Sequence, residues 1–515
     1  MNLSRRDLLL ATGLLPVQSA FAARAGTSRT AVTGTGNDIV SLDALGLSRA
    51  IRARDISCVE VMTAYLRQIE AFNPQFNAIV NLRSQDELLA EAAIRDRELA
   101  AGVWRGWMHG FPHAVKDLAN VRGLATTFGS PLFVDNIAAA DSILVERIRS
   151  SGAIFIGKTN VPEFGMGSQS YNPVFGATRC AYDPTRTAGG SSGGAAAALA
   201  LRMVPVADGS DMMGSLRNPA AYNNVIGLRP TFGRVPADAA NFQQQLGCSG
   251  PMARTIPELA SLLATIAGFD ARDPGSLGED PAPFAGSLTS EPRGLRIGWL
   301  GDYDGYLAME AGVLEQCDKA LQVFANLDCV VEPLSIGFDM ADLWQCWLKL
   351  RHWTMGSRVL ALYQDPQKRL LLKPEAVWEV EGSLSLTAAT IAQAMATRSR
   401  WYQHLHKLFQ RYDFLVLPSA QVFPFAVTQH WPQEIAGRRM DTYHRWMEVV
   451  IGGTLAGCPV LNLPAGFNTA GLPMGIQVMA AGRRELALLR QGAAYEAAAQ
   501  HLIGHAPPAL GAKGS

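Results

Sequence analysis

The chain has 515 residues, 48% hydrophobic and 17% charged, which supplies ample material for a large buried core and excludes a disordered polymer. Its 45 basic and 45 acidic side chains cancel to a formal charge of +0, which argues against a nucleic-acid or polyanion surface, because such binding needs clustered positive charge. A neutral or small substrate fits better, and length alone sets a loose prior of about three domains that a long α/β enzyme can satisfy as one unit.

Residues 1–22 differ in kind from the rest. Arg5 and Arg6 precede a modest apolar stretch, Leu8 to Val17, and Ala20-Phe21-Ala22 places small residues where a signal peptidase cuts. This reads as a removable export signal. The paired arginines and a weak apolar core broken by Thr12 and Gly13 favour the twin-arginine route; an ordinary Sec signal is the alternative. The expected mature chain is residues 23–515, soluble and periplasmic or secreted. It has no stable membrane association after signal cleavage, since no other segment approaches 18 unbroken apolar residues.

Ser57-Cys58-Val59-Glu60 and Ser84-Gln85-Asp86-Glu87 read as capping boxes that open helices. Gly110 to Asp117 reads as a turn into a short strand, Ser142 to Ser151 as a helix, and Ala153 to Gly157 as a buried strand. Small residues and turn formers dominate from Gly165 to Gly194, a loop long enough to be functional. A helix is expected over Ala195 to Arg202 and a strand over Val204 to Ala207. After a connector near 275–290, a strand at Leu295 to Leu300 and a helix at Ala311 to Asn326 follow. A helical stretch from 340 to 410 carries Trp344, Trp347, Trp353, Trp378 and Trp401, read as core, with a pocket wall as the alternative. Strands return at Phe414 to Leu417, Val460 to Leu463 and Gly475 to Met479. Helices alternating with apolar strands give an α/β fold class.

The seven cysteines include no CxxC, and the nine histidines form no metal or triad cluster, so no metal is expected; no organic cofactor is expected either. An oxidising compartment leaves room for one disulfide, while cysteines in apolar surroundings, such as Cys346, read as buried thiols. Gly189-Gly190-Ser191-Ser192-Gly193 matches the G-x-S-x-G elbow of an α/β-hydrolase esterase with Ser191 as nucleophile. That elbow needs a hydrophobic strand before it, and Tyr182 to Thr187 is polar and contains Pro184. A phosphate loop lacks its Lys-Ser/Thr pair. A glycine loop running into an alanine helix reads instead as a pre-shaped anion or oxyanion site.

These pieces together resemble the amidase signature family. The resemblance rests on the glycine-serine loop at 189–194, Gly209-Ser210-Asp211 with Gly214-Ser215-Leu216-Arg217, Gly227-Leu228-Arg229-Pro230-Thr231, Lys116-Asp117, Lys158-Thr159-Asn160, and Gly471-Leu472-Pro473-Met474-Gly475. It implies a large mixed central β-sheet covered by helices. It also implies a small-molecule amide substrate cleaved at its C–N bond through an acyl-enzyme on Ser215, with Ser191, beside a cis peptide, as proton relay and Lys116 as base. Lysine serves as a base only when neutral, so Lys116 must be desolvated or lie near another cation. Met212, Met213, Gly214 and Ser215 would supply the backbone oxyanion hole, Met213 standing where the family has glycine. Ser192 would support the hydrogen-bond network and Asp211 with Arg217 would form a buried ion pair. Met166, Gly167 and Ser168 are substrate-binding candidates, and His113 reads as structural. The thinly matched 300–410 region is the variable, substrate-side part. The competing readings are a non-catalytic amide-binding homologue, the transamidase component that makes amidated transfer RNA, which the export signal opposes, and the esterase using Ser191. Oligomeric state is open, a homodimer included.

Overall fold

Ser57 caps the helix Cys58–Phe76 with both halves of its box: its hydroxyl accepts from Glu60 N–H at 3.1 Å and the Glu60 carboxylate accepts from Ser57 N–H at 2.8 Å. The second box forms only in half. Ser84 accepts from Glu87 N–H at 3.4 Å, while the Glu87 carboxylate turns to Arg83 at 3.7 Å, a cation on the preceding loop that competes for it. The helix Gln85–Ala100 still begins where its cap predicts. These elements belong to a computed structural model that describes residues 36–238 and 245–511; the export signal read at 1–22 lies outside the described residues.

Two sheets organise the chain. A small one orders the strands Ile79–Val80, Ile154–Thr159 and Pro112–Lys116, the last two parallel with Lys116 opposite Thr159. The large one has eight strands in the order Val330–Pro333, Arg296–Trp299, Phe414–Pro418, Pro473–Met479, Val460–Phe467, Ile226–Arg229, Cys248–Ala253 and Ala207–Asp211. The first three are mutually parallel and every later pairing is antiparallel, so the sheet is mixed. Its central strands are buried along nearly their whole length, as required when helices cover both faces. The helix Gly193–Ala200 is buried throughout, and its small residues permit that: a Cβ on Gly194 would collide with the backbone of Asn160 and Ala78.

One strand is displaced from its sequence expectation. Val204 to Val206 are buried but lie outside the strand, which runs Ala207–Asp211 and pairs with Cys248–Ala253. Its Asp-Gly-Ser-Asp sequence hides it from hydrophobic patterning, because its polar side chains find buried partners rather than water. The 340–410 region is helical over Met340–Gln364, Pro374–Leu384 and Ala388–Leu408. Trp344, Trp347 and Trp401 are buried in it, and Trp353 and Trp378 are half-buried. All seven cysteines are buried free thiols. Among the described residues no helix is long and apolar enough to cross a membrane.

Candidate active site

The strand Pro112–Lys116 delivers two consecutive charged residues to opposite sides, as alternation at a strand end requires. Asp117 turns to Thr127, whose N–H it accepts at 3.1 Å, and lies 3.9 Å from Lys158. Lys116, only 1% exposed, turns the other way and meets three hydroxyls: Ser192 Oγ at 2.7 Å, Ser191 Oγ at 2.9 Å and Ser210 Oγ at 3.0 Å. Burial pushes its pKa down from 10.5 to about 7, against the opposing pull of Asp208 and Asp211.

Each hydroxyl is held from behind. The Gly190–Ser191 peptide is cis, and Gly190 N–H donates to Asn218 Oδ1 at 3.1 Å. Ser192 precedes the alanine helix. The first two N–H groups of that helix donate to Ser170 Oγ at 3.0 Å and Asn160 O at 3.2 Å, so this helix start is filled by protein and is not the anion site expected from the sequence. Ser210 lies two residues from Asp208 on one face of the strand. Asp208 accepts the Lys116 N–H at 3.2 Å and meets His113 Nε2 at 3.1 Å, which gives His113 a structural place behind the lysine.

Asp211 points elsewhere. Arg217 grips its carboxylate through two nitrogens, at 3.0 and 2.9 Å, and Arg229 approaches to 3.5 Å, with all three side chains fully buried. Burial alone would raise the Asp211 pKa; Arg217 overrides it and holds the carboxyl well below its usual range. The same carboxylate accepts Gly214 N–H at 3.0 Å and Leu216 N–H at 3.1 Å, folding residues 212–216 around it. This corrects the expected four-donor hole: Gly214 N–H is committed to Asp211. Among the described residues the N–H groups of Met212, Met213 and Ser215 make no hydrogen bond. Gly214 takes φ 77, whereas neither methionine has positive φ, so Met213 occupies its position without the conformation that would demand glycine.

A cavity of about 290 Å³ opens over these groups, with Lys116, Ser191 and Ser215 among the residues that line it. Met213 is 4% exposed and packs into the main core, with its edge on the cavity; half-buried Met212 forms the wall and receives an N–H from Arg351 at 3.6 Å on sulfur. Gly167 and Ser168 also line the cavity. Met166 does not: its side chain is fully buried in a separate small core with Met355, Val359 and Val380, because its carbonyl is anchored by Lys373 Nζ at 2.9 Å.

Sequence reasoning missed part of the wall. Arg351, Met355 and Arg358 reach the cavity from the helix Met340–Gln364, and His444 joins them. The spacing i, i+4, i+7 was a readable signal of one helix face. None of the five tryptophans of this region lines the cavity. Arg351 is fixed by Glu379 at 2.7 Å and by Tyr443, and Glu379 also meets His352 at 2.8 Å.

A family model described as Amidase matches residues 60–489. The chain is 33% identical over 502 residues to a glutamyl-tRNA(Gln) amidotransferase subunit from Acidothermus cellulolyticus, covering 91% of this chain and 96% of that one. It is 31% identical over 462 residues to an acylamidase of Rhodococcus erythropolis, covering 88% and 95%. The solved structure of a bacterial aryl acylamidase of the amidase signature enzymes superposes with a TM-score of 0.84 at 27% identity, over 90% of this chain and 97% of that one.

Proposed function

The chain belongs to the amidase family and is an enzyme of carboxylic amide C–N bond hydrolysis, and from that premise we propose that Ser215 is its nucleophile, Ser191 its proton relay and Lys116 its base. The observation that carries this reading is the buried Lys116 amine held among three serine hydroxyls. A charged ammonium donates three hydrogen bonds; a neutral amine donates two and accepts one. With its pKa near 7, Lys116 can spend a large share of its time neutral, and the hydroxyl of Ser191 can then donate into the nitrogen lone pair.

The steps follow from that arrangement. Ser215 Oγ attacks the substrate carbonyl carbon while its proton passes to Ser191 Oγ and the Ser191 proton passes to Lys116 Nζ. The oxyanion that forms is assigned to the N–H groups of Met212, Met213 and Ser215, which make no hydrogen bond among the described residues. Collapse breaks the C–N bond, and the proton returns from Lys116 through Ser191 to the leaving nitrogen. Water then attacks the acyl-enzyme by the same relay and releases the carboxylic acid and Ser215. Asp208 and His113 support the lysine from behind, and the Asp211–Arg217 pair holds the turn that presents Ser215.

The test is hydrolysis of a chromogenic anilide by wild type, Lys116→Ala and Ser191→Ala. Both variants should lose on the order of 10²–10⁴ in kcat; near wild-type turnover by either overturns the assignment. The likeness to an amidotransferase component supports a second reading, in which the released nitrogen passes to a partner in an assembly. Ammonia or amine appearing freely in solution with the purified chain alone favours the hydrolase.

A further inference from the structure

The cavity wall formed by Arg351, Arg358 and His444 has unspent hydrogen-bonding capacity. Every carboxylate that reaches the cavity is already engaged: Asp208 by the Lys116 N–H and His113, Asp211 by Arg217 and Arg229. Arg351 is neutralised by Glu379. Arg358, exposed at the mouth, has no hydrogen bond or ion pair among the described residues.

His444 supplies the independent observation. It is 1% exposed, it lines the cavity, and among the described residues neither ring nitrogen has a hydrogen-bond partner. Trp344, Trp347, Trp378 and Tyr443 surround the ring at centroid distances from 4.6 to 6.3 Å, which fixes its orientation. A buried polar group left unpaired costs free energy that a bound partner would recover. Burial and the nearby Arg351 keep the imidazole neutral, so it brings one N–H donor and no charge.

We propose that the amide substrate of this site carries a carboxylate, with Arg358 as its counter-cation and His444 as a neutral donor on the same wall. The proposal rests on the amidase reading and names its substrate class: half-amides of dicarboxylic acids, or amides whose amine portion bears an acid. A lone unpaired arginine at a cavity mouth and an unpaired buried imidazole are both answered by one acceptor-only group.

The probes are three matched pairs: the mono-p-nitroanilides of glutaric and adipic acid against the p-nitroanilides of valeric and hexanoic acid respectively, and butyryl-4-aminobenzoate against butyranilide. Wild type should favour the acid member of at least one pair by about 10- to 100-fold in kcat/KM, mostly through KM, as a charge-assisted contact predicts. Arg358→Gln should collapse that ratio at least tenfold, Arg358→Lys should restore part of it, and His444→Phe, which keeps the aromatic packing, should lower it. Equal handling of both members of all three pairs by wild type, or a ratio unchanged in Arg358→Gln, overturns the proposal. Labelling of Ser215 by a fluorophosphonate, run on the same samples, separates the two levels. Cleavage of the neutral anilides with a labelled Ser215 and no acid preference refutes this inference alone, whereas no cleavage and no label refutes the amidase mechanism beneath it.

Discussion

If Lys116 is the base, activity must follow its titration. Its amine falls from 10.5 to about 7 because burial strips its water, so the neutral fraction is about one half at pH 7, about 9% at pH 6 and about 1% at pH 5. The kcat/KM of wild type should therefore rise nearly tenfold per pH unit below 6 and level off above 8. Lys116→Arg, which cannot lose its proton, should be inactive across that range. The same titration appears in stability, and its sign is fixed. Below 10.5 the unfolded lysine gains a proton that the folded one refuses until about 7, so this residue's contribution to stability is most favourable above 10.5 and is lost as pH falls to about 7. At 1.36 kcal/mol per pH unit the full loss is of the order of 5 kcal/mol, of which about 2 kcal/mol is recovered between pH 7 and pH 9. Urea unfolding of wild type and Lys116→Met at those two pH values should show that difference growing in favour of wild type. A flat pH–rate profile from 5 to 8, or parallel stability curves for the two proteins, refutes the neutral-base account.

Asp211→Asn leaves Arg217 and Arg229 buried without their counter-charge and should cost about 3–5 kcal/mol in urea unfolding. Because the Asp211 carboxyl is held well below its usual 3.8, its stabilisation should persist above that value and disappear only as pH falls further, which an acid titration of wild type by circular dichroism checks. Met213→Ala opens a core position and should cost about 2–5 kcal/mol, whereas Met212→Ala should change stability little and shift selectivity toward bulkier acyl groups in an anilide panel. Ser210→Ala removes one of three hydroxyls on Lys116 and should lower kcat with KM nearly unchanged, by a smaller factor than Ser191→Ala.

What the sequence disclosed divides along physical lines. Elements with local causes were legible: the Ser57 capping box, the apolar run at 153–157 and the helices of 340–410 are written in nearest-neighbour chemistry. The strand Ala207–Asp211 was not, since Asp208 and Asp211 are polar residues made tolerable by partners at positions 113, 116, 217 and 229. Lys116, Ser191 and Ser215 were named from motif resemblance, and the structure gathers them around one cavity. The tie between Gly214 N–H and Asp211 was invisible because it depends on the turn's actual dihedrals. Arg351, Arg358 and His444 escaped notice for a related reason: only folding brings a helix face and a residue about 90 positions later onto one wall. Met213, conspicuous in sequence, is quiet in structure, its backbone in an ordinary conformation and its side chain mostly in the core.

The central claim is that Ser215, not Ser191, carries the acyl group. Incubating the protein with a fluorophosphonate and mapping the adduct by peptide mass spectrometry tests it most directly. The expected result is a single modification on Ser215, lost in Ser215→Ala and greatly slowed in Lys116→Ala. An adduct on Ser191, or labelling of Ser215 at an unchanged rate in Lys116→Ala, would contradict it.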